Sequence, residues 1–595
     1  MWPNTAPKRP KFAWAAVIIC FVLYFQLEAV TRSGSDVTSP SASSSEQQPT
    51  RRHPVSQLVR TAQQQFDKLK RKQSKSLPAA VAEYRRRYGM HPPPHFDKWY
   101  KFATDNRLVL IDEFDTIHQS MTPFWGLAPA AVRKRTSEAL HSGQHLMRVT
   151  VRDGNVTGTE GGPEWHQDAL RGMMQKFAQY LPDMEIAFNT VDEPRVVVPH
   201  ADLARLVSTA LRKSIPAAGA NKRPINSFSR ETASMQENAG PKMANVSFAP
   251  LGRESSWQHL RQACSPNSPS RALQEADFQD DVESYGLGSL GFIHNTTAMS
   301  DVCLSPSLSS SHGFFDRPDT HSVSHDLVPI FSQSKVSSNS DILYPSPWYW
   351  AEVVKYDAAS DRPWAEKRDR LYWRGSTTGG YGSDGNWKGH HRQRFVHMLN
   401  SDESAATILS RRGDKTRAWK TETVRHSDYR DLVDVAFTRT VQCDEAACES
   451  QQRYFDIQEH ASQQDGWGYK FVLDMDGNAF SGRFHALLRS ASLTFKFAVF
   501  REWHNEWLKP WVHYVPLSLQ GKEWLELVRY FSDGGDSGTQ AADMAAQSSD
   551  WASMTLRNED MEAWLFRLLL DTAAPERAPP DFTPEADNLT PDMAE

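Results

Sequence analysis

Two short segments of the sequence place glycines, hydroxyl side chains and arginines directly after an apolar strand pattern. In the first, residues 371–373 form the strand pattern and residues 374–385 are rich in Gly, Ser and Thr. Such a turn exposes backbone N–H groups, and the helix that follows adds partial positive charge, so the geometry suits a phosphate. A plain glycine-rich turn with surface arginines is the alternative. The candidate phosphate ligands here are Arg374, Gly375, Ser376 and Arg392.

The second segment covers residues 469–484, where a strand pattern again meets a turn and a helix that carries arginine. Ser481 is a natural N-cap for that helix, and the planar fork of Arg483 fits a diphosphate better than a lysine would. Asp474 and Asp476 form an acidic pair of the kind that can hold a metal ion beside a diphosphate. Turn and cap chemistry is the alternative for these two aspartates, which are therefore weak metal candidates.

A third segment, Asn189-Thr-Val-Asp192-Glu-Pro194, places a carboxylate at the end of a predicted strand. Clefts in α/β proteins open at the carboxyl ends of strands, and a general base must lie within hydrogen-bond reach of its substrate. Asp192 is therefore a candidate general base. Taken alone, an aspartate this close to a proline also fits a simple turn former.

Aromatic and histidine residues cluster at residues 341–350 and 503–516. These clusters could line a pocket for a sugar or a base, and ordinary core packing is the alternative.

Composition excludes several functional classes. The 67 Lys+Arg nearly balance the 72 Asp+Glu in 595 residues, whereas a nucleic-acid-binding protein usually has a strong basic excess. At 39% hydrophobic residues the chain can fill a core, which excludes disorder throughout. The charge is uneven, because residues 1–100 carry 16 basic and 6 acidic residues. The first hundred residues therefore differ in kind from the rest.

The N-terminus has the pattern of a membrane anchor. Three basic residues precede an apolar run that begins at Phe12, so residues 1–11 are predicted as a cytosolic tail and residues 12–30 as a transmembrane helix. A cleaved signal peptide is the alternative, because the run is short. In both cases the remaining chain faces the lumen or the exterior, and the predicted location is a single-pass type II protein of the Golgi or endoplasmic reticulum membrane.

Sequons and cysteines agree with this compartment. Four glycosylation sequons occur, at Asn155, Asn245, Asn295 and Asn588. Outside the predicted anchor four cysteines remain, for which three pairings are possible. The local pairing joins Cys264 to Cys303 and Cys443 to Cys448. Four free thiols are the alternative.

Alternating strands and helices between residues 336 and 517 predict a parallel, doubly wound sheet. Earlier strands are expected at 146–151 and 184–191, with helices at 55–75 and 79–88. The remaining segments are assigned from composition as a flexible stem (31–76), a polar surface loop (216–282), a linker (531–550), a closing helix (551–572) and a disordered tail (573–595).

In their order along the chain, these segments resemble glycosyltransferase family 90, which includes fungal capsule-associated xylosyltransferases and animal protein O-glucosyltransferases. The resemblance covers about residues 77–530. It is carried by Asn189-Thr-Val-Asp-Glu-Pro194, Asp341-Ile-Leu-Tyr-Pro-Ser-Pro-Trp-Tyr-Trp350, Trp373-Arg-Gly-Ser376, Asp476-Gly with Ser481-Gly-Arg483, and Leu508-Lys-Pro-Trp-Val-His-Tyr-Val-Pro516.

The resemblance implies a GT-B-like fold, in which an acceptor-side domain (77–335) and a nucleotide-sugar domain (336–530), both Rossmann-like and doubly wound, face a cleft. It implies inverting transfer of xylose or glucose from a UDP-sugar to a hydroxyl of a glycan or glycoprotein, such as a capsule or cell-wall polysaccharide. Asp192 matches the catalytic carboxylate, and Arg374, Ser376 and Arg483 match positions near the nucleotide. Gly375, Arg392 and Ser481 complete the predicted donor site, and dependence on Mn²⁺ stays open.

Two other functions are compatible with a lumenal protein of this pattern. A non-catalytic carbohydrate-binding or scaffold protein with the same fold would bind no UDP-sugar. A glycoside hydrolase would need two carboxyl groups about 5–9.5 Å apart. The presence of Asp192, Arg374 and Arg483 favours the transferase.

Overall fold

The computed structural model describes residues 52–143, 145–228, 246–272, 279–319, 321–402, 405–411 and 418–576. The predicted cytosolic tail, the predicted anchor at 12–30, the first part of the predicted stem (31–51) and nearly all of the predicted C-terminal tail lie outside these residues. Among the helices of the described ranges, none has the length and apolar character needed to cross a membrane.

The first large sheet has five strands: β1 (Leu146–Arg152), β2 (Asn155–Glu160), β3 (Met184–Asn189), β4 (Ile330–Ser332) and β5 (Ile342–Leu343). Their order is β5-β4-β3-β1-β2. β3, β4 and β5 are parallel, whereas β1 is antiparallel to both β2 and β3. The sheet is therefore mixed, which differs from the predicted doubly wound domain.

The reason for the antiparallel pair is a tight hairpin. Arg152 pairs with Asn155, so only Asp153 and Gly154 connect the two strands, with φ of 46° and 71°. A two-residue turn with positive φ at both positions matches the right-handed twist of the strands, and Asp-Gly is a preferred sequence for it. This dipeptide was the sequence signal for the hairpin.

The second large sheet is entirely parallel, as predicted. Its strands are β6 (Arg368–Ser376), β7 (Val433–Arg439), β8 (Tyr469–Met475), β9 (Leu493–Phe497) and β10 (Val515–Pro516), in the order β7-β6-β8-β9-β10. Helix His391–Asn400 lies between β6 and β7 in the chain, and helix Phe484–Arg489 lies between β8 and β9. These elements follow the predicted alternation of strand and helix.

The predicted stem helix forms as helix Pro54–Arg71, but it belongs to the globular body. Phe66 is buried, with its ring edge-on to His513 and Trp551 at 4.7 and 4.8 Å. His53, just before the helix, is also buried and lies 3.0 Å from the carboxylate of Glu526. The body therefore begins near residue 53 and not at residue 77, because the few apolar residues of this basic helix all face the core.

The predicted linker at 531–550 is also ordered, because helix Asp536–Thr555 covers most of it. Small side chains, Ala541, Ala545 and Ser548, form its packing face together with the larger Met544 and Trp551. The predicted closing helix follows as helix Asn558–Ala573, and it is buried on nearly every side.

The predicted polar loop at 216–282 is partly structured where the model describes it. Residues 229–245 and 273–278 lie outside the described ranges. Strand Ala249–Gly252 pairs with strand His321–Val323, and Trp257 and Leu260 are buried. Disulfides join Cys264 to Cys303 and Cys443 to Cys448, which confirms the local pairing.

The other helices support these sheets. They are Leu77–Tyr88, Phe96–Asp105, Asp115–Met121, Pro129–Ser142, Glu164–Met174, His200–Thr209, Ile215–Gly219, Trp257–Leu260, Thr296–Met299, Leu308–Ser311, Gly313–Asp316, Pro347–Trp350, Glu445–Tyr454 and Trp524–Ser532. Short strand pairs form between Ala405–Ser410 and Lys420–Arg425, Ser334–Lys335 and Arg501–Glu502, and Gly286–Leu287 and Phe292–Ile293.

Candidate functional site

The predicted site residues follow the carboxyl ends of parallel strands in both sheets. Asp192 lies in the loop after β3, residues 374–376 end β6, and residues 481–483 follow β8. Loops at the carboxyl ends of parallel strands form the ligand crevices of open α/β sheets. The strand pattern alone therefore places these residues where a ligand is expected.

The glycine-rich loop after β6 depends on close backbone contact. A Cβ atom on Gly380 would lie 2.5 Å from the Cα of Gly313, and Gly380 itself has φ of 142°. A Cβ on Gly375 would lie 2.5 Å from the indole of Trp373. Glycine is thus required at these positions by sterics, and the loop is held against the segment around Gly313.

Arg392 fastens this loop to the turn after β8. Its guanidinium donates to the carbonyl oxygens of Ser376 (3.0 Å) and Asp476 (2.7 Å) and to the hydroxyl of Thr378 (2.7 Å). Burial, together with the positive charge of Arg483, lowers the pKa of Arg392 to about 9. The nearby arginine therefore adds an unfavourable charge to an already buried cation.

Arg483 approaches the same point from the turn after β8. Its guanidinium donates to the carbonyl oxygen of Arg374 at 2.8 Å. The guanidinium carbons of Arg392 and Arg483 lie 5.6 and 5.9 Å from the ring centroid of Trp373. The two arginines therefore flank one indole at the carboxyl edge of the second sheet.

Neither arginine has an anionic partner within the described ranges. No carboxylate oxygen there lies within 4.0 Å of either guanidinium. The acidic side chains nearby are committed elsewhere: Asp474 pairs with Lys496 at 2.7 Å, and Asp476 accepts the N–H of Val499 at 2.7 Å. Two arginines that form no direct ion pair, at a glycine-rich turn, are a candidate anion site.

Arg374 does not direct its side chain to this anion site. Its guanidinium is 2.6 Å from the carboxylate of Asp434 and 2.9 Å from the carbonyl oxygen of the same residue. Successive side chains of a strand point to opposite faces, and Trp373 is the residue beside the other two arginines. Only the backbone carbonyl of Arg374 reaches them.

The two predicted serines, Ser376 and Ser481, contribute to the site mainly through their backbone carbonyl oxygens. The carbonyl oxygen of Ser376 accepts from Arg392, while its hydroxyl lies 3.2 Å from that of Thr378. Ser481 does not cap a helix, because the helix begins at Phe484 and its start carries no side-chain cap. The carbonyl oxygen of Ser481 instead accepts from the phenol of Tyr349 at 2.9 Å.

The two aspartates proposed as weak metal ligands, Asp474 and Asp476, serve as hydrogen-bond acceptors and ion-pair partners in the structure. Across the described part of the chain, no three His, Cys, Asp or Glu side chains are grouped so that they could hold a metal ion.

Asp192 lies in a loop that Asn189 ties together, since the side-chain amide of Asn189 donates to the carbonyl oxygen of Glu193 at 2.8 Å. The side chain of Asp192 is solvent-accessible, yet protein surrounds it closely enough that desolvation raises the pKa of its carboxyl. Burial raises the pKa of the neighbouring Glu193 to about 8, with further contributions from the charges of Asp192 and Asp319.

The carboxylate of Asp319 links this loop to the second sheet. Asp319, which acts on Glu193, accepts from the side chain of Gln442 at 3.2 Å. The carbonyl oxygen of Gln442 in turn accepts the N–H of Gly382 at 2.8 Å. Asp319 therefore acts on the Asp192 loop through its charge and is joined to the glycine-rich loop by hydrogen bonds through Gln442.

The aromatic segment after β5 also contacts the second sheet. A Cβ on Gly482 would lie 2.5 Å from the indole nitrogen of Trp348, a nitrogen that has no hydrogen-bond partner among the described residues. The ring of Trp165 lies 6.0 Å from that of Trp348, and Trp165 is 41% exposed. Trp165 at the surface contacts Trp348, and Trp348 contacts the turn that carries Arg483.

The aromatic segment at 503–516 packs as core. Trp503, Trp507, Trp511, His504 and His513 are all buried, so core packing, the alternative considered for this segment, is what the structure has. Three residues packed beneath the turn at 481–483 were not predicted for the site. They are Tyr349, Lys496 and Glu502. No local motif joins them, because they come from three separate elements.

Part of this chain is similar to a known protein family. Residues 313–595 match the model of glycosyl transferase family 90. This range includes the anion site but not Asp192.

Individual relatives are distant. O-glucosyltransferase rumi of Drosophila pseudoobscura pseudoobscura is 25% identical over 270 residues, which is 40% of this chain and 54% of the relative. Protein O-glucosyltransferase 1 of Homo sapiens is 24% identical over 276 residues, which is 43% of this chain and 59% of the relative. The chain spans about half the length of the curated relatives it matches.

Proposed function

Residues 313–595 belong to glycosyl transferase family 90, and from this premise we propose that the chain transfers a sugar from a UDP-sugar to a hydroxyl of a glycan or glycoprotein. The observation that carries the proposal is the pair Arg392 and Arg483, two cations that form no direct ion pair with the described residues and lie beside a glycine-rich loop. Glycosyl transfer from a nucleotide-sugar releases a diphosphate, and its developing negative charge requires preorganised donors.

The two arginines would serve the diphosphate differently. Arg483 is half-buried and has guanidinium donors left after its bond to the carbonyl of Arg374, so it would contact the phosphates directly. Arg392 is buried and surrounded by carbonyl oxygens, so it would fix the loop and contribute its charge. Arg374 would act as a positioning residue, since Asp434 holds its side chain. Backbone N–H groups of the loop from Gly375 would complete the site.

Asp192 would act as the general base. It would take the proton of the acceptor hydroxyl while that oxygen forms a bond to the anomeric carbon of the donor. The bond from the anomeric carbon to the diphosphate oxygen breaks on the opposite face, which inverts the configuration. A pKa raised by desolvation makes Asp192 a stronger base than an exposed aspartate.

Two disulfides support a compartment that is oxidising, such as the lumen of the endoplasmic reticulum or Golgi. The sequon residues Asn155 and Asn295 are exposed, as glycosylation requires. The predicted anchor at residues 12–30 would tether the enzyme there. The two parallel-containing sheets support the predicted GT-B-like arrangement.

The test is a panel of UDP-sugars incubated with the purified full chain, with and without Mn²⁺. UDP-glucose is the first donor to test, because the relatives are O-glucosyltransferases by name, and UDP-xylose lacks only its CH₂OH group. We expect UDP release from one donor that depends on a glycan or glycoprotein acceptor. A chain that binds glycans but neither binds nor cleaves any UDP-sugar would instead be a carbohydrate-binding protein, and the proposal would fail.

A further inference from the structure

A buried group of polar side chains lies directly beneath the turn 481–483. Tyr349 comes from the helix after β5, Lys496 from β9, and Glu502 from the strand that follows β9. Glu502 is 1% exposed. The ring of His485 stacks on Tyr349 with centroids 3.6 Å apart, which leaves the phenol little freedom to move.

The hydrogen bonds of Tyr349 need more protons than the phenol carries. Its oxygen lies 2.7 Å from a carboxyl oxygen of Glu502 and 2.9 Å from the carbonyl oxygen of Ser481. If Glu502 is ionised, both neighbours are acceptors, and one phenol proton cannot satisfy both. If Glu502 is protonated, it donates to Tyr349, and Tyr349 donates to Ser481. Only the second arrangement makes both contacts full hydrogen bonds.

The surroundings of Glu502 favour its protonated form. Its second carboxyl oxygen has no hydrogen-bond partner among the described residues, which is costly for a buried anion. The cations near that oxygen are Lys496 at 3.7 Å, which already pairs with Asp474 at 2.7 Å, and His504 at 3.6 Å if it were charged. Burial keeps the pKa of His504 well below its usual value.

Burial also raises the pKa of Glu502 to about 8. The Lys496 charge and the Tyr349 hydrogen bond oppose this increase, whereas the charges of Asp474 and Asp476 add to it. His485 contributes no charge, because burial keeps its pKa well below the usual value. Among the residues that face it, Glu502 is therefore the group that changes charge just above neutral pH.

We propose that Tyr349 and Glu502 are positioning residues, which hold the turn 481–483 in its donor-binding shape through a two-proton relay that exists only while Glu502 is protonated. This rests on the proposed function, since it takes the turn with Arg483 as the donor site. When Glu502 loses its proton, Tyr349 donates to the carboxylate, and the carbonyl oxygen of Ser481 keeps only the N–H of Phe484 at 3.3 Å.

The direct test measures the Kd of UDP for the full chain by calorimetry between pH 7 and pH 9. For the wild type we expect binding to weaken on the order of fivefold as the pH rises, which corresponds to one neutral hydrogen bond. Glu502→Gln, whose amide donates to Tyr349 at every pH, should keep the tight Kd throughout. Tyr349→Phe should bind UDP weakly at both ends of the range.

Glu523→Gln is the matched control. Glu523 is buried and burial raises the pKa of its carboxyl to about 7, but its partners are the N–H and hydroxyl of Ser518. This variant should show the same pH dependence as the wild type. A wild-type Kd that is constant from pH 7 to pH 9, or a Glu502→Gln variant as weak as Tyr349→Phe at pH 7, would overturn the proposal.

A second measurement needs no donor and separates this inference from the proposed function. Other buried carboxyls, such as Glu193, also absorb as protonated C=O at pH 7, so the measurement is the infrared difference between the wild type and Glu502→Gln. That difference should contain a protonated C=O band at pH 7 and lose most of it by pH 9. Absence of that difference at pH 7 would overturn the relay even if UDP binds. A normal band together with no UDP binding at any pH would leave the relay intact and refute the transferase assignment.

Discussion

The carboxyl edges of the two sheets differ in the burial and the chemistry of their side chains. At the second sheet, buried polar side chains bond to the backbone: Arg392 donates to four residues, and Tyr349 donates to the carbonyl oxygen of Ser481 in the adjacent turn. At the first sheet, the functional groups are an accessible carboxylate, Asp192, and an exposed indole, Trp165. The contrast suits a rigid grip on an invariant diphosphate and an open surface for a larger, variable acceptor.

The largest expected effect comes from the first-sheet edge. Asp192→Asn should lower kcat by about 10²–10⁴, because the amide cannot accept the acceptor proton. The Kd of UDP should stay as in the wild type, since the second sheet is untouched. Steady-state kinetics and calorimetry measure the two quantities. Full activity of Asp192→Asn would remove Asp192 from the base role and with it the division of labour between the edges.

The next effect comes from the second-sheet edge. Arg483→Ala should lower kcat/KM by about 10²–10³, as expected for the loss of one preorganised donor to a developing anion. Arg483→Lys should recover part of the loss, because lysine keeps the charge but not the fork. Arg374→Lys tests the geometry: its loss in kcat/KM should be smaller than that of Arg483→Lys, since Arg374 faces Asp434. The reverse order would place Arg374 at the diphosphate.

The smallest expected effect concerns the binding of the acceptor. Trp165→Ala should raise the KM for a glycan acceptor about two- to tenfold, the range of a lost aromatic contact, while leaving the Kd of UDP unchanged. Tyr454→Ala is the control, because Tyr454 is 46% exposed but contacts Trp387 and His397. An unchanged acceptor KM for Trp165→Ala would mean that the exposed indole lies outside the acceptor path.

The parallel second sheet could be predicted because its strands and helices alternate with clear apolar patterns. The Asp153-Gly154 hairpin had a local signal that went unused. Helix Asp536–Thr555 was missed for a physical reason: within residues 531–550 its buried positions are mostly alanine and serine, a composition that also describes a linker, and its large buried residue Trp551 lies beyond that segment. Its order comes from tertiary packing that no local pattern shows.

The site residues likewise divide into those that local sequence patterns predict and those that they do not. Arg392 and Arg483 could be found because each follows a strand and a turn. The outward orientation of Arg374 was also accessible, since alternation along a strand puts it opposite Trp373. Tyr349 and Glu502 lie 153 positions apart, and only the folded chain brings them together. Local patterns thus reveal groups that touch the ligand, and not those that hold them.

The packing of helix Pro54–Arg71 has a practical consequence for the design of a secreted form of the protein. Cutting at residue 77, where composition suggests that the body starts, would remove Phe66 from between two rings and strip Glu526 of its imidazole neighbour. The shortened protein would expose an apolar groove and aggregate. A leader sequence should therefore be joined upstream of His53, so that helix Pro54–Arg71 stays with the body against which it packs.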